Sequence, residues 1–135
     1  MTSKNESSPL RRSLLFVPAV RPDRYAKALA TGADAVCIDL EDGVGDAFKS
    51  KARSNALDLL STRAATKAEV SIRINDVKSD LGQQDLEMLV ESGLRPDAVM
   101  LPKVAGVDEI EKVDASLRSR GAPISLIVEI ETVQG

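Results

Sequence analysis

The residues best suited to chemistry lie between Ala35 and Gly45, in the stretch AVCIDLEDGVG. Val36, Ile38 and Leu40 alternate with Cys37, Asp39 and Glu41, the period of two that marks a β-strand. The strand runs into the carboxylates Asp39, Glu41 and Asp42 and the glycines Gly43 and Gly45. Carboxylates crowded at one strand end repel one another and are costly to bury unpaired, and a bound cation would offset that cost. The plainer reading is a solvated turn, since Asp and Gly are ordinary turn residues. Further charges recur along the chain: Arg21 after SLLFVP, Arg73 in VSIRIN, Lys103 in AVMLPKV, and Glu129 and Glu131 in ISLIVEIE.

Composition narrows the chemistry. These 135 residues contain no histidine, which removes imidazole bases, His-ligated zinc and Ser-His-Asp catalysis. Acids, bases and metal ligands must then be Asp, Glu, Lys, Tyr, water or substrate, and carboxylates favour hard cations, Mg²⁺ above all. A net charge of −3 argues against a broad nucleic-acid surface, and 2% aromatic residues leave little for base stacking. The single cysteine, Cys37, cannot form an internal disulfide, which fits a reducing, cytoplasmic setting. No run is long or apolar enough to span a membrane. The opening MTSKNESSPLRR is polar, lacks the apolar core of a secretory signal, and reads as a loose tail over residues 1–11; a short organelle-targeting remnant is the alternative.

The elements that must position these groups alternate. Ser13–Pro18 reads as a buried strand, Asp23–Ala30 as a helix closed by Gly32, and Ala35–Glu41 as the second strand. A helix starting near Asp46 carries Lys49, Lys51, Arg53, Leu57 and Leu60, followed by a strand from Val70 to Asn75. A helix over Asp80–Gly93 precedes a strand over Ala98–Val104; a helix over Val107–Arg120 precedes a strand over Ile124–Glu131. Four βα units and a fifth strand argue for parallel strands with helices packed outside. Right-handed crossovers then bring all five strand C-termini to one side, where α/β folds bind ligands.

Every strand delivers charge to that side: Arg21, then Asp39, Glu41 and Asp42, then Arg73, then Lys103, then Glu129 and Glu131. Together they read as a site for an anionic ligand plus a metal. Each has a plainer reading as well. Arg73 can pair with a neighbouring acid, and Lys103 can be a solvated loop lysine. Glu129 and Glu131, two apart on an apolar strand, lie at an open end or around a cation. Lys49 and Arg53, four apart on a helix, form a solvated face by default, or a phosphate contact.

The blocks SLLFVPAVRPDRYAKA, GADAVCIDLEDGV, VSIRIND, DAVMLPKV and VEIETVQG, in this order, resemble the HpcH/HpaI aldolase/citrate lyase family, which includes citrate lyase β-subunit-like proteins and malyl-CoA and citramalyl-CoA lyases. The resemblance covers residues 12–135 and implies the first five strands of a TIM-type (β/α)8 barrel. It also implies Mg²⁺ dependence and reversible carbon–carbon cleavage of a 3-hydroxyacyl-CoA, or of an acyl-carrier thioester, into an acetyl thioester and a keto acid. By the same resemblance, Glu131 of the I-E-T motif binds the metal and Arg73 of the R-I-N motif grips the carboxylate of the small acid. Phe16, Arg21, Lys27 and Lys49 fall where family members contact the acyl-CoA. Asp39, Glu41 and Asp42 match the acidic block near the metal and its waters. Glu129 has no counterpart in the motif. The family tends toward trimers or hexamers, with a neighbour's residues completing the site.

One departure bears on activity. The family's second Mg²⁺ ligand, an Asp on the following strand, and its later catalytic Asp have no counterpart within these 135 residues. A full barrel takes eight strands and typically about 250 residues. The expectation is therefore the N-terminal part of a longer enzyme, inactive on its own. Two other readings compete: a phospho-receiver signalling domain, also five-stranded with acids, Mg²⁺ and a lysine, and a catalytically inactive paralogue that binds CoA or metal. The receiver places its paired acids after the first strand and its lysine after the fifth, unlike the order found here.

Overall fold

Short apolar strands alternating with helical stretches bury their faces by packing as a sheet covered by helices. The computed structural model describes residues 10–63 and 65–135. In it five strands, β1 (Leu14–Pro18), β2 (Ala35–Asp39), β3 (Glu69–Arg73), β4 (Ala98–Leu101) and β5 (Ser125–Val128), alternate with α1 (Tyr25–Ala30), α2 (Lys49–Ser61), α3 (Asp80–Ser92) and α4 (Val107–Arg118). All neighbouring strands are parallel, and the sheet order follows the chain, β1-β2-β3-β4-β5. That order keeps every right-handed crossover on the same face and is the order of a barrel wall. A receiver domain instead winds in the order 2-1-3-4-5, with helices on both faces.

The register assigns each face. Val17, Ile38, Ile72, Val99 and Leu126 lie level across the sheet. They pack with Ala28, Ala52, Ala56, Leu60, Leu86, Leu89, Val113 and Leu117 of the helices in one apolar core. The opposite face is built of Phe16, Cys37, Ser71, Ala98 and Ser125 at one level and Pro18, Asp39, Arg73, Met100 and Ile127 at the next. Cys37, Ala98 and Met100 are buried there, outside that core cluster. Burial pushes the Cys37 thiol up to about 12, so it is an inert filler.

Several elements end sooner than the apolar pattern predicts. β2 stops at Asp39, whose carboxylate accepts the backbone N–H groups of Glu41 (2.9 Å) and Gly43 (2.9 Å) and turns the chain. β4 stops at Leu101, because Pro102 has no N–H to continue the ladder. β5 stops at Val128, so Glu129 and Glu131 stand beyond the last strand. α3 starts on Ser79, whose hydroxyl accepts the Gly82 N–H (3.1 Å), and ends on Gly93 in the left-handed region (φ 67°). Of the expected tail, residues 1–9 lie outside the described residues. Arg11 is tied down, with Nε donating to both carboxylate oxygens of Glu69 (2.8 and 3.0 Å). No helix among the described residues is long and apolar enough to cross a membrane.

Candidate active site

The centre of the site is Arg73, the last residue of β3. Asp39 stands directly opposite it at the end of β2. Both side chains therefore leave the sheet on the same face, and the guanidinium fork meets the carboxylate edge to edge. Nε donates to Asp39 Oδ1 (2.9 Å) and Nη2 to Oδ2 (2.8 Å). Nη1 donates to Glu129 Oε1 (3.2 Å), and Glu41 Oε1 lies 3.6 Å from Nε. Beneath the guanidinium, 4.4 Å from its carbon, sits the ring of Phe16, one level down on β1. Asp39 is 3% exposed and Arg73 13%, so this pair holds in a drier medium than a surface pair. Asp39 holds its proton less tightly than an ordinary carboxyl group: burial works to raise its pKa, but Arg73 and the two backbone donors outweigh it. Arg73 is pushed upward, chiefly by the hydrogen bonds to Asp39.

The other carboxylates are less well served. Glu41 is 5% exposed, and its Oε1 has no hydrogen-bond partner. Burial raises its pKa, the adjacent Asp42 adds to the shift, and Lys103 opposes it. Burial likewise raises Glu129; Arg73 opposes the shift and neighbouring Glu131 adds to it. Glu131 Oε1 accepts the backbone N–H of Lys103 (3.0 Å), and Lys103 Nζ reaches Glu41 Oε2 (3.2 Å). One residue thus joins the two acidic groups. Lys103 is also the only non-glycine residue with positive φ among those described (53°). Its carbonyl oxygen accepts from Lys78 Nζ (2.8 Å), which also reaches Glu109 Oε1 (2.7 Å). Glu109 in turn accepts the N–H groups of Ala105 and Gly106 and fixes the start of α4.

The structure therefore gathers the expected Phe16, Asp39, Glu41, Asp42, Arg73, Lys103, Glu129 and Glu131 around one mouth. Four of the predicted contacts do not join this group. Lys49 departs from the expected solvated or phosphate-facing role: it is buried, and its ammonium donates to Leu40 O (2.9 Å), Glu41 O (2.8 Å) and Asn75 Oδ1 (2.8 Å). All three of its protons are spent inside the protein, so it is a clamp behind the mouth. Arg53 also turns inward, to the buried Asp85 (2.9 Å), which holds Asn75 through its backbone N–H (2.8 Å) and side-chain amide (2.6 Å). Arg21 is exposed and paired with Asp23 (2.8 Å), and Lys27 is exposed on α1. The inward turn of Lys49 was readable: with Ala52, Ala56 and Leu60 it completes the stripe of spacings 3, 4 and 4 that faces the core. The arginine's bidentate partner had no local signal, because Asp39 and Arg73 meet only through strand register.

No group of three or more Asp, Glu or Cys side chains placed to hold a metal ion occurs among the described residues. Two carboxylates at a time can approach one cation here, Glu129 with Glu131 or Glu41 with Asp42. That suits an ion such as Mg²⁺, which keeps several waters and needs only one or two carboxylates. The buried, unpartnered oxygen of Glu41 and the raised pKa values of Glu41 and Glu129 are what such an ion would relieve.

A parallel barrel wall with opposed acids and bases at its carboxyl end defines a barrel protein with its site in the usual place. Residues 12–135 match the HpcH/HpaI aldolase/citrate lyase family model, and the chain belongs to that family. It is 34% identical to the L-malyl-CoA/beta-methylmalyl-CoA lyase of Cereibacter sphaeroides, over 92% of this chain and 41% of that protein. It is also 34% identical to the mitochondrial citramalyl-CoA lyase of Homo sapiens, over 93% of this chain and 38% of that one. Among solved structures, the citrate lyase beta subunit of Mycobacterium tuberculosis complexed with oxaloacetate and magnesium aligns at a TM-score of 0.72 and 36% identity, over 95% of this chain and 52% of that chain. CitE of the same organism, in complex with magnesium, acetoacetate and coenzyme A, aligns at 0.72 and 36% identity, over 93% and 43%. The chain thus spans about two fifths of these curated relatives and about half of these structures.

Proposed function

We propose that this segment supplies part of the active site of a Mg²⁺-dependent carbon–carbon lyase. The reaction cleaves or forms a 3-hydroxyacyl-CoA of the malyl, citramalyl or citryl type, giving an acetyl thioester and a keto acid. The observation that carries the reading is the unpartnered, buried Glu41 oxygen in a mouth where carboxylates outnumber cations, facing a guanidinium. Glu131 is the metal ligand, with Glu41 and Asp42 acting through waters, and Glu129 beside it. Bound there, Mg²⁺ would act as a Lewis acid toward the keto-acid carbonyl and the alkoxide derived from it.

This chain's own residues bind and orient. Arg73 is held in one direction by Asp39 below and Phe16 beneath its plane, which leaves one N–H on each terminal nitrogen for a substrate carboxylate. Phe16 within β1, and Arg21 and Lys27 beyond it and outside the gathered mouth, meet the acyl-CoA, Arg21 and Lys27 through its phosphates. The Lys49 clamp holds the backbone of Leu40 and Glu41 in place, so that Glu41 keeps its aim. The protein works as a homo-oligomer, a trimer or hexamer.

The test is Mg²⁺-dependent release of acetyl-CoA from malyl-, citramalyl- and citryl-CoA by the protein that carries these residues. Glu131→Ala should abolish the release while lowering the unfolding midpoint only slightly, because Glu131 is exposed and its tie to the fold is the hydrogen bond from the Lys103 N–H. Release that survives in Glu131→Ala, or that persists in excess chelator, would refute the assignment.

A further inference from the structure

Lys103 combines features that a loop lysine does not need. Its backbone is in the left-handed region without being glycine, a conformation kept only where the surroundings impose it. Three points impose it: Glu131 on its N–H, Lys78 on its carbonyl oxygen, and Glu41 on its ammonium. The side chain is 47% exposed, yet its partner Glu41 is 5% exposed. The ammonium lies 3.2 Å from Glu41 Oε2, and the residue's own N–H is held by Glu131. It therefore stands among the carboxylates that border the proposed metal position.

We propose that Lys103 is the resident counter-cation of this mouth: its ammonium balances Glu41 when no divalent ion is bound, and an arriving ion must displace or oppose it. The inference rests on the reading that the mouth takes Mg²⁺, and it adds a residue that sets how tightly. Without a positive charge there, Glu41, Asp42, Glu129 and Glu131 would face one another with only Arg73 between them, and Arg73 is largely spent on Asp39. The lysine touches Glu41 through its ammonium and Glu131 only through its backbone N–H, and its charge weakens metal binding by repulsion with the ion.

The experiment is a Mn²⁺ titration, followed by loss of the free-ion electron paramagnetic resonance signal, on wild type, Lys103→Arg, Lys103→Met and Lys103→Gly. Glycine suits the left-handed backbone and keeps the N–H that Glu131 accepts, so this variant guards against a folding defect in Lys103→Met. Far-UV circular dichroism and the unfolding midpoint check both. Lys103→Met and Lys103→Gly should bind Mn²⁺ about tenfold more tightly, the size expected for one charge removed a few ångströms from a divalent ion in a water-like medium. Lys103→Arg should stay within about threefold of wild type, since the charge is kept. Equal or weaker binding in both neutral variants, with wild type still binding, would overturn the role of Lys103 and leave the magnesium reading standing. Binding by the neutral variants alone would support it in its strongest form. If neither wild type nor the neutral variants take up Mn²⁺, the magnesium reading and this inference fall together.

Discussion

The two ends of the sheet carry similar residue types and use them differently. At the amino-terminal ends of the strands, each acid has its own arginine: Glu69 with Arg11, Asp34 with Arg12, and Asp97 with Arg63. Two of these acids also cap free backbone donors, Asp34 those of Arg12 and Ser13, and Asp97 that of Val70. The Arg12 side-chain hydrogen bond holds Asp34 down, to about 2. At the carboxyl ends, Asp39, Glu41, Asp42, Glu129 and Glu131 share Arg73 and Lys103, and two of the five carboxylates are pushed up. One end is matched pair by pair and closes the fold. The other is left short of positive charge, as a site awaiting a cation and an anionic ligand would be. In barrels the amino-terminal face serves stability and the carboxyl face serves chemistry, and here the charge pairing alone separates them.

Breaking the contrast at its strongest point means removing Arg73. Arg73→Met would leave the buried Asp39 carboxylate without its fork, and removing one partner of a buried pair costs about 3–5 kcal/mol. The urea midpoint should drop accordingly, and substrate binding should be lost with it. A midpoint unchanged from wild type would mean that the pair is not buried in solution.

Glu129→Gln should act in the opposite direction. The folded-state pKa of Glu129 is raised, so the native state holds its proton more tightly than the unfolded chain does. The stability this provides is present at low pH and is lost as pH rises through the folded pKa. An amide keeps an acceptor for Arg73 Nη1 without the charge next to Glu131. The variant should therefore melt higher than wild type at neutral pH, with an advantage that shrinks on acidification; thermal scans from acidic to neutral pH would show it. Wild type gaining relative to the variant as pH rises would contradict the sign.

The smallest effect belongs to the other end. Arg12→Ala opens a pair whose arginine is 76% exposed, and such solvent-screened pairs add little to stability. A melting temperature within a degree or two of wild type, with metal binding and turnover untouched, would confirm that the two ends are functionally distinct. An effect on metal binding would blur the distinction.

Much of the fold was legible because it rests on local physics. Val36, Ile38 and Leu40, and then Val70, Ile72 and Ile74, alternate as half of a sheet must, and Gly32, Gly93 and Gly121 stop helices where left-handed or unusual backbone is needed. The strand ends were less legible. Apolar alternation continues through Leu40, Val104 and Ile130, whereas the ladder is ended by the Asp39 turn and by Pro102. Within the site, the residue types at the strand ends were visible. Their partners were not, because a carboxylate at a strand end reads the same whether it faces water, a metal or an arginine on the next strand.

The sequence by itself determined the βα alternation, the absence of imidazole chemistry among these residues, and the gathering of acids and bases at one end of the strands. These follow from periodicity, composition and the handedness of the crossover. Only the tertiary structure decided that Asp39 belongs to Arg73, that the inward-turned Lys49 is held by Asn75 and the backbone of Leu40 and Glu41, and that Lys103 bridges Glu41 to Glu131. Those outcomes depend on side chains more than twenty residues apart and, for Asp39 and Arg73, on strand register, where one residue of slip would turn either group to the opposite face.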